Sequence, residues 1–217
     1  MDRKLFSIIT PTYNSGLKLE KTLNSVLSQE SDLLEYIVVD GGSTDETLPL
    51  LETYGDKLKV ISERDAGVYD AINKGIEASS GWYLYFIGAG DSLRENMLGK
   101  IARVLPENDL SLVYGNAYMV DQGIVYDGEF SKAKLRRRNI CHQAIFYGRT
   151  IFDMFGMYDL RYKVLADHAF NIKCFWNDRI TKKYVAYVIA NYEGGGISRN
   201  EIDLEFAYEY AEMMKTD

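Results

Sequence analysis

Four short segments of this chain carry side chains able to do chemistry, and each follows an apolar run. They are Pro11-Thr12-Tyr13-Asn14, Asp40-Gly41-Gly42-Ser43, Glu63-Arg64-Asp65-Ala66-Gly67 and Gly88-Ala89-Gly90-Asp91. Three of the four hold a carboxylate. Carboxylates converging on one rim repel each other unless a cation or a donor-rich ligand offsets them. Asp91 follows small residues that let a ligand approach the backbone closely. A carboxylate there is the hard oxygen ligand that Mg²⁺ or Mn²⁺ prefers, and the alternative is an N-cap for a following helix, which Ser92 also supplies. Asp40 has two readings as well. It accepts from a base N–H or a ribose hydroxyl, or it bonds the amides of its own turn. Asp45 reads as a first-turn helix residue favoured by the dipole. Asp70, Asn73 and Lys74 lie one turn apart and share a helix face. That face is either solvated or a nucleotide-facing wall with Arg64 or Lys74 near phosphate.

The elements that must position these residues alternate in period. Leu5 to Thr10, Leu34 to Val39, Leu58 to Ser62 and Trp82 to Ile87 read as strands. Leu17 to Gln29, Thr44 to Tyr54 and Val68 to Ala78 read as helices, the second with Ser43 or Thr44 as its N-cap. Strand–helix alternation predicts a mostly parallel, three-layer α/β sandwich, Rossmann-like in organisation. Ligands of such sheets bind beyond the carboxyl ends of the strands, where all four segments lie. Further on, strands are expected at Leu112 to Tyr118, Ile124 to Tyr126, Ala144 to Tyr147 and Tyr184 to Asn191, with helices at Asp167 to Trp176 and Asp203 to Met214.

The chain has 217 residues, which suits a single domain, 1–217. Its net charge of −7 argues against general nucleic-acid binding. The basic run Lys132, Lys134, Arg136, Arg137 and Arg138 is a solvated face or a contact for an anionic membrane. Cys141 and Cys174 form no CxxC pair, so a zinc knuckle is unsupported and both are expected as reduced thiols. No leader or membrane-spanning stretch is evident, so a cytoplasmic location is expected, peripheral to a membrane at most. A GxxxxGK[ST] loop is absent. A dinucleotide fingerprint starting at Gly88 breaks at Leu93.

Taken in order, Ile9-Thr10-Pro11-Thr12-Tyr13-Asn14, Val38 through Asp45, Glu63 through Gly75 and Phe86 through Asp91 resemble the family 2 glycosyltransferases of bacterial capsule, exopolysaccharide and lipopolysaccharide synthesis. The second half matches more loosely, through Cys141-His142-Gln143-Ala144, Val164-Leu165-Ala166-Asp167 and Gly194 to Ser198. The resemblance implies a GT-A fold, with a donor half over about 1–115 and an acceptor half over about 116–217, and sugar transfer from a nucleotide-sugar donor, UDP by family frequency, to a saccharide or lipid-linked saccharide. It implies that Pro11, Thr12 and Tyr13 hold base and ribose, that Asp40 bonds the base, and that Asp65 lies near base or ribose. Gly90 and Asp91 stand in the family's acidic motif, with Asp91 on a divalent metal, Mg²⁺ or Mn²⁺; Ala89 and Gly90 stand where acids often occur.

Asp167 is implied as the catalytic base that deprotonates the acceptor, with inversion at the sugar. His142 and Gln143 are expected at the donor diphosphate, the metal or the acceptor, and Ser198 and Arg199 in a loop over the phosphates. Two rivals remain in view. A sugar nucleotidyltransferase would carry a glycine-rich basic loop after the first strand, which Pro11 to Asn14 is not. A non-catalytic nucleotide-sugar binding module is suggested by the thinned acidic motif.

Overall fold

A computed structural model describes residues 3–194 and 203–213, the last three as backbone only. Over the first half the order is β1 (Phe6–Thr12), α1 (Gly16–Leu27), β2 (Leu34–Asp40), α2 (Thr47–Glu52), β3 (Lys59–Ser62), α3 (Val68–Ala78), β4 (Tyr83–Phe86), β5 (Ser92–Leu93) and α4 (Met97–Ala102). The second half continues with β6 (Ser111–Met119), β7 (Ile124–Tyr126), α5 (Lys132–Leu135), β8 (Ile145–Gly148), α6 (Arg149–Phe155), α7 (Ala166–Trp176), β9 (Thr181–Tyr192) and α8 (Leu204–Met213).

One sheet runs through all of it, in the order β3-β2-β1-β4-β8-β6-β9-β5, with β7 paired to β6. The strands β1 to β4 are parallel neighbours, as the alternation predicts. Beyond β4 the sheet is mixed. β8 lies antiparallel between β4 and β6, whereas β6 and β9 run parallel. Because β8 opposes β4, the residues leading into β8 sit at the carboxyl end of β4. Because β9 runs with β6, its carboxyl end reaches the same rim.

Alternation along each strand makes two cores. Ile9, Ile37, Val39, Leu84 and Phe86 face one side, under α3, α6 and α7. Phe6, Ile8, Tyr36, Val38 and Tyr85 face the other, under α1, α2 and α4. The result is the expected three-layer α/β sandwich.

One local expectation fails. Neither Ser43 nor Thr44 caps α2, which starts later, at Thr47, behind Glu46 and without a side-chain cap. The reason is competition. The Ser43 hydroxyl donates to Asp40 and accepts from Asn14 N at 2.8 Å, and the Thr44 amide donates to Asn14 Oδ1 at 2.9 Å. Asp45 accepts from Thr47 N instead, at 3.0 Å. The buried Thr47 hydroxyl in turn accepts from the amides of Ser15 and Gly16, both at 2.9 Å, and so holds the start of α1.

Candidate active site

The rim at the carboxyl ends of β1, β2 and β3 is built from loops that tie one another down. Gly41 N donates to Thr12 O at 2.9 Å, and Asn14 joins the first loop to the second. Pro11 is half-buried beside the buried Thr12. Tyr13 is 63% exposed, leaving a flat ring free at the end of β1. Asp40 is 0% exposed and surrounded by donors. It accepts from Gly42 N at 3.1 Å, Ser43 N at 3.0 Å, Ser62 Oγ at 2.8 Å and the Ser43 hydroxyl. This is the geometry of the turn-organising alternative: four donors inside the chain already use a carboxylate that solvent does not reach.

Asp65 differs. One oxygen accepts from Gly67 N at 2.9 Å. The other, Oδ2, bonds no described residue and lies over Gly41, where a Cβ would come within 2.4 Å of it. Only glycine at position 41 leaves that carboxylate its place between the second and third loops. Asp65 therefore keeps an acceptor atom to spare among the described residues.

The expected wall on α3 is also used internally. The Asn73 amide clamps the backbone of Tyr158, donating to its carbonyl at 2.8 Å and accepting from its N–H at 3.0 Å. Lys74 pairs with Glu63 at 2.9 Å and Asp70 at 3.4 Å and donates to Arg64 O at 2.8 Å, the Glu63 bond leading in raising its pKa. Both side chains brace the third loop and the α6–α7 connection.

Asp91 is 6% exposed at the far end of the rim. Thr22 on α1 holds its turn, donating to Asp91 O at 2.7 Å and accepting from Gly90 N at 2.9 Å. Among the described residues each carboxylate oxygen has one donor: Glu193 N to Oδ1 at 2.9 Å and Gln143 Nε2 to Oδ2 at 2.8 Å. Burial pushes its pKa up to about 6, against the lowering effect of these two bonds and of Lys21. Among the described residues no group of three His, Cys, Asp or Glu gathers around a metal-sized space. A Cβ on Gly88 would lie 3.2 Å from Asp91 Oδ2, so the room left by that glycine opens onto a carboxylate oxygen with a lone pair to spare. One carboxylate in such a cradle fits a divalent cation that takes its remaining ligands from substrate phosphates and water.

Asp167, 8% exposed, lies in the first turn of α7, inside the helix that begins at Ala166 rather than capping it. Its Oδ1 accepts from Tyr69 Oη at 2.8 Å and His168 N at 2.9 Å. Among the described residues its Oδ2 accepts from Asn139 Nδ2 alone, at 2.8 Å. The two acids thus share one strap of chain: Asn139 reaches Asp167 and Gln143, four residues on, reaches Asp91. His142 lies between them, its ring 5.1 Å from that of Phe86 and its Nε2 3.1 Å from Tyr158 Oη, with burial lowering its pKa. Ser198 and Arg199 lie outside the described residues.

Residues 7–167 match the family described as Glycosyl transferase family 2. A PGL/p-HBAD biosynthesis glycosyltransferase of Mycobacterium bovis is 43% identical over 214 residues, covering 95% of this chain and 84% of the relative. The chain belongs to glycosyltransferase family 2. It is a glycosyltransferase, and this sets aside both a nucleotidyltransferase and a binding module without catalysis. The poly(ribitol-phosphate) beta-N-acetylglucosaminyltransferase TarP of Staphylococcus aureus is 28% identical over 207 residues, covering 87% of this chain and 63% of that protein. In fold, the family 2 chain superposes on S. aureus TarS 1-349 in complex with UDP-GlcNAc with a TM-score of 0.81 at 21% identity, covering 96% of this chain and 66% of that one. The mannosyltransferase PcManGT of Pyrobaculum calidifontis, in complex with GDP-Man and Mn²⁺, gives a TM-score of 0.69 at 17% identity, over 88% of this chain and 57% of that one. The chain thus spans two thirds or less of these solved chains. Their likeness establishes the GT-A architecture.

Thr22 and Asn139, which hold the turn of Asp91 and the carboxylate of Asp167, carry no sequence signal of their own and sit inside apolar or irregular stretches. A polar residue on the buried face of a helical stripe, as Thr22 is on α1, is the available clue.

Proposed function

We propose that this glycosyltransferase moves a sugar from a nucleoside-diphosphate sugar, UDP by preference, onto a hydroxyl of a saccharide or lipid-linked saccharide in bacterial surface glycan or glycolipid synthesis. The observation that carries it is the pair of carboxylates, Asp91 and Asp167, held by one strap at the carboxyl ends of the strands. The ring of Tyr13 offers a stacking face for the base, and Asp65 Oδ2 an acceptor for a base N–H or ribose hydroxyl. Asp167 takes the proton of the acceptor hydroxyl. That oxygen bonds the anomeric carbon from the face opposite the leaving group, and the bond to the diphosphate breaks with its electron pair, inverting the centre. Asp91 with Gln143 marks the diphosphate end. A divalent cation bound at Asp91, Mg²⁺ or Mn²⁺, supplies positive charge to the departing diphosphate.

The test is Asp167→Asn. Sugar transfer should fall by at least about a thousandfold, in keeping with loss of a general base, while titration shows nucleotide-sugar binding unchanged. Transfer within tenfold of wild type would refute the base assignment.

The acceptor half supports contact with an anionic membrane surface. Residues 131–190 hold twelve Lys and Arg against four Asp and Glu in a chain of net charge −7. Around α5 a shallow groove of about 400 Å³ is lined by Ala133, Lys134, Arg137 and Arg138. Asp127 pairs with Lys134 at 3.5 Å and Arg138 at 2.9 Å, and Lys132 and Arg136 lie over the Trp176 ring. Among the described residues, no helix is long and apolar enough to cross a membrane. Co-sedimentation with vesicles containing anionic phospholipid, and none with neutral vesicles, is expected, and Arg137→Glu should weaken it. Equal recovery on both vesicle types would exclude this contact.

A further inference from the structure

Asp167 and Asn171 stand one turn apart on α7, so their side chains share a face of that helix. Asn139, on the strap between α5 and β8, bonds both. Its Nδ2 donates to Asp167 Oδ2 and its Oδ1 accepts from Asn171 Nδ2, each at 2.8 Å. The direction is forced. An ionised carboxylate only accepts, so Asn139 turns its amide nitrogen to Asp167 and its oxygen to Asn171. Asn171 spends its nitrogen on that bond and accepts on Oδ1 from Tyr147 Oη of β8, at 2.8 Å. The Asn139 carbonyl accepts from Tyr126 Oη of β7, at 2.7 Å.

Asn171 and Tyr147 are 0% exposed. A side-chain amide is uncommon in such a place, because burial strips it of water and only well-aligned partners offset the cost. A fully bonded buried network is stiff in return. Tyr69 Oη and His168 N already hold Oδ1 of Asp167. What the asparagine pair adds is a direction for Oδ2. Gripped at both ends of its amide, Asn139 has one usable rotamer; released by Asn171, it keeps a single side-chain bond and is free to leave that rotamer. Among the described residues Oδ1 has two donors and Oδ2 one, so a lone pair remains on Oδ2.

We propose that Asn139, held by Asn171 behind it, is the positioning residue that aims the remaining lone pair of Asp167 Oδ2 at the acceptor hydroxyl. As the acceptor oxygen bonds the anomeric carbon, its O–H bond breaks and the proton passes to that lone pair. Neither asparagine touches donor or acceptor in this role; both act through Asp167. The role rests on Asp167 being the base, and the test keeps the two apart.

The test is a double-mutant cycle. Asn139→Ala, Asn171→Leu and their combination are made in wild type and in Asp167→Asn. Transfer is measured with a radiolabelled UDP-sugar that wild type turns over, and binding is titrated with UDP. In the wild-type background each single change should lower kcat by about ten- to a hundredfold, the scale of a misplaced reacting group, with donor KM and UDP affinity within twofold. The combination should be no slower than the slower single variant. In Asp167→Asn the same changes should leave the residual rate within twofold, because no base is left to aim. A purely structural role would lower the rate in both backgrounds. Single variants within twofold of wild-type kcat, losses that multiply, or an equal further loss in Asp167→Asn overturn the proposal and leave the base reading standing. Wild-type activity in Asp167→Asn overturns both. Asn139 is half-buried; if Asn171→Leu does not fold, Asn139→Ala in the two backgrounds decides.

Discussion

Asp91→Asn should make the protein more stable and less active, and the stability gain should depend on pH. Burial raises the Asp91 pKa from the ordinary 3.8 to about 6. The group is 6% exposed, so solvent screens little of that cost. A rise of about two units corresponds to about 3 kcal/mol carried by the folded protein when Asp91 is ionised. The sign follows from proton binding. Between the unfolded and folded pKa values the folded state holds more protons, so stability falls as pH rises through that window. The full cost applies above about 6 and is largely relieved below about 4.

An asparagine removes the charge and keeps an oxygen for Glu193 N. Its amide nitrogen faces Gln143, whose own amide turns to offer its oxygen. Urea denaturation at pH 7.5 should show the variant more stable by up to about 3 kcal/mol, roughly 6–12 °C in Tm for a chain of this size. At pH 5 the gap should roughly halve, since wild-type Asp91 is then mostly protonated. Nucleotide-sugar binding in the presence of Mg²⁺ or Mn²⁺ should weaken at pH 7.5, and wild-type binding should itself fall as pH drops through about 6. A variant no more stable than wild type at pH 7.5, or a gap that does not change with pH, would refute the reasoning.

The remaining expectations are structural. Asp40→Asn should cost about 1–3 kcal/mol, the penalty for leaving buried donors unmatched, read as a lowered denaturation midpoint; unchanged stability with weakened donor binding would support contact of Asp40 with the base instead. Gly41→Ala should weaken donor binding at least about tenfold, because its Cβ would sit 2.4 Å from Asp65 Oδ2 and displace that carboxylate. Titration calorimetry would measure this, and wild-type affinity would remove Asp65 from the donor site.

The first half of the fold was legible because its strands are short apolar runs bounded by polar loops, and α3 came out with its expected limits, Val68 to Ala78. The insertion of β8 between β4 and β6 was not. Ile145 to Gly148 is uniformly buried, and a run without alternation does not say which neighbours it joins or in which direction. Residue types also mislead where a polar side chain is used twice over. Asn73 and Lys74 do share a face, but they turn to Tyr158 and Glu63. Asp40 reads as a ligand-binding acid from its place after a strand, and its four partners become visible only when the Ser43 and Ser62 segments are folded against it. Asn139 and Asn171 look like irregular-loop and helix polar residues, and their meaning arises from pairing across 32 residues of chain.

The placement of β8 also bears on how the chain can be divided. β4 lies inside the sheet because a strand from far along the chain closes its free side. A fragment ending after β6 would leave β4 without its partner, exposing a row of unpaired amides and carbonyls along an entirely buried strand, Tyr83 to Phe86. Such an edge invites pairing with another chain. The half with the donor-side loops is therefore expected to aggregate when expressed alone, and to stay dispersed when the residues through β8 are supplied, covalently or as a separate fragment.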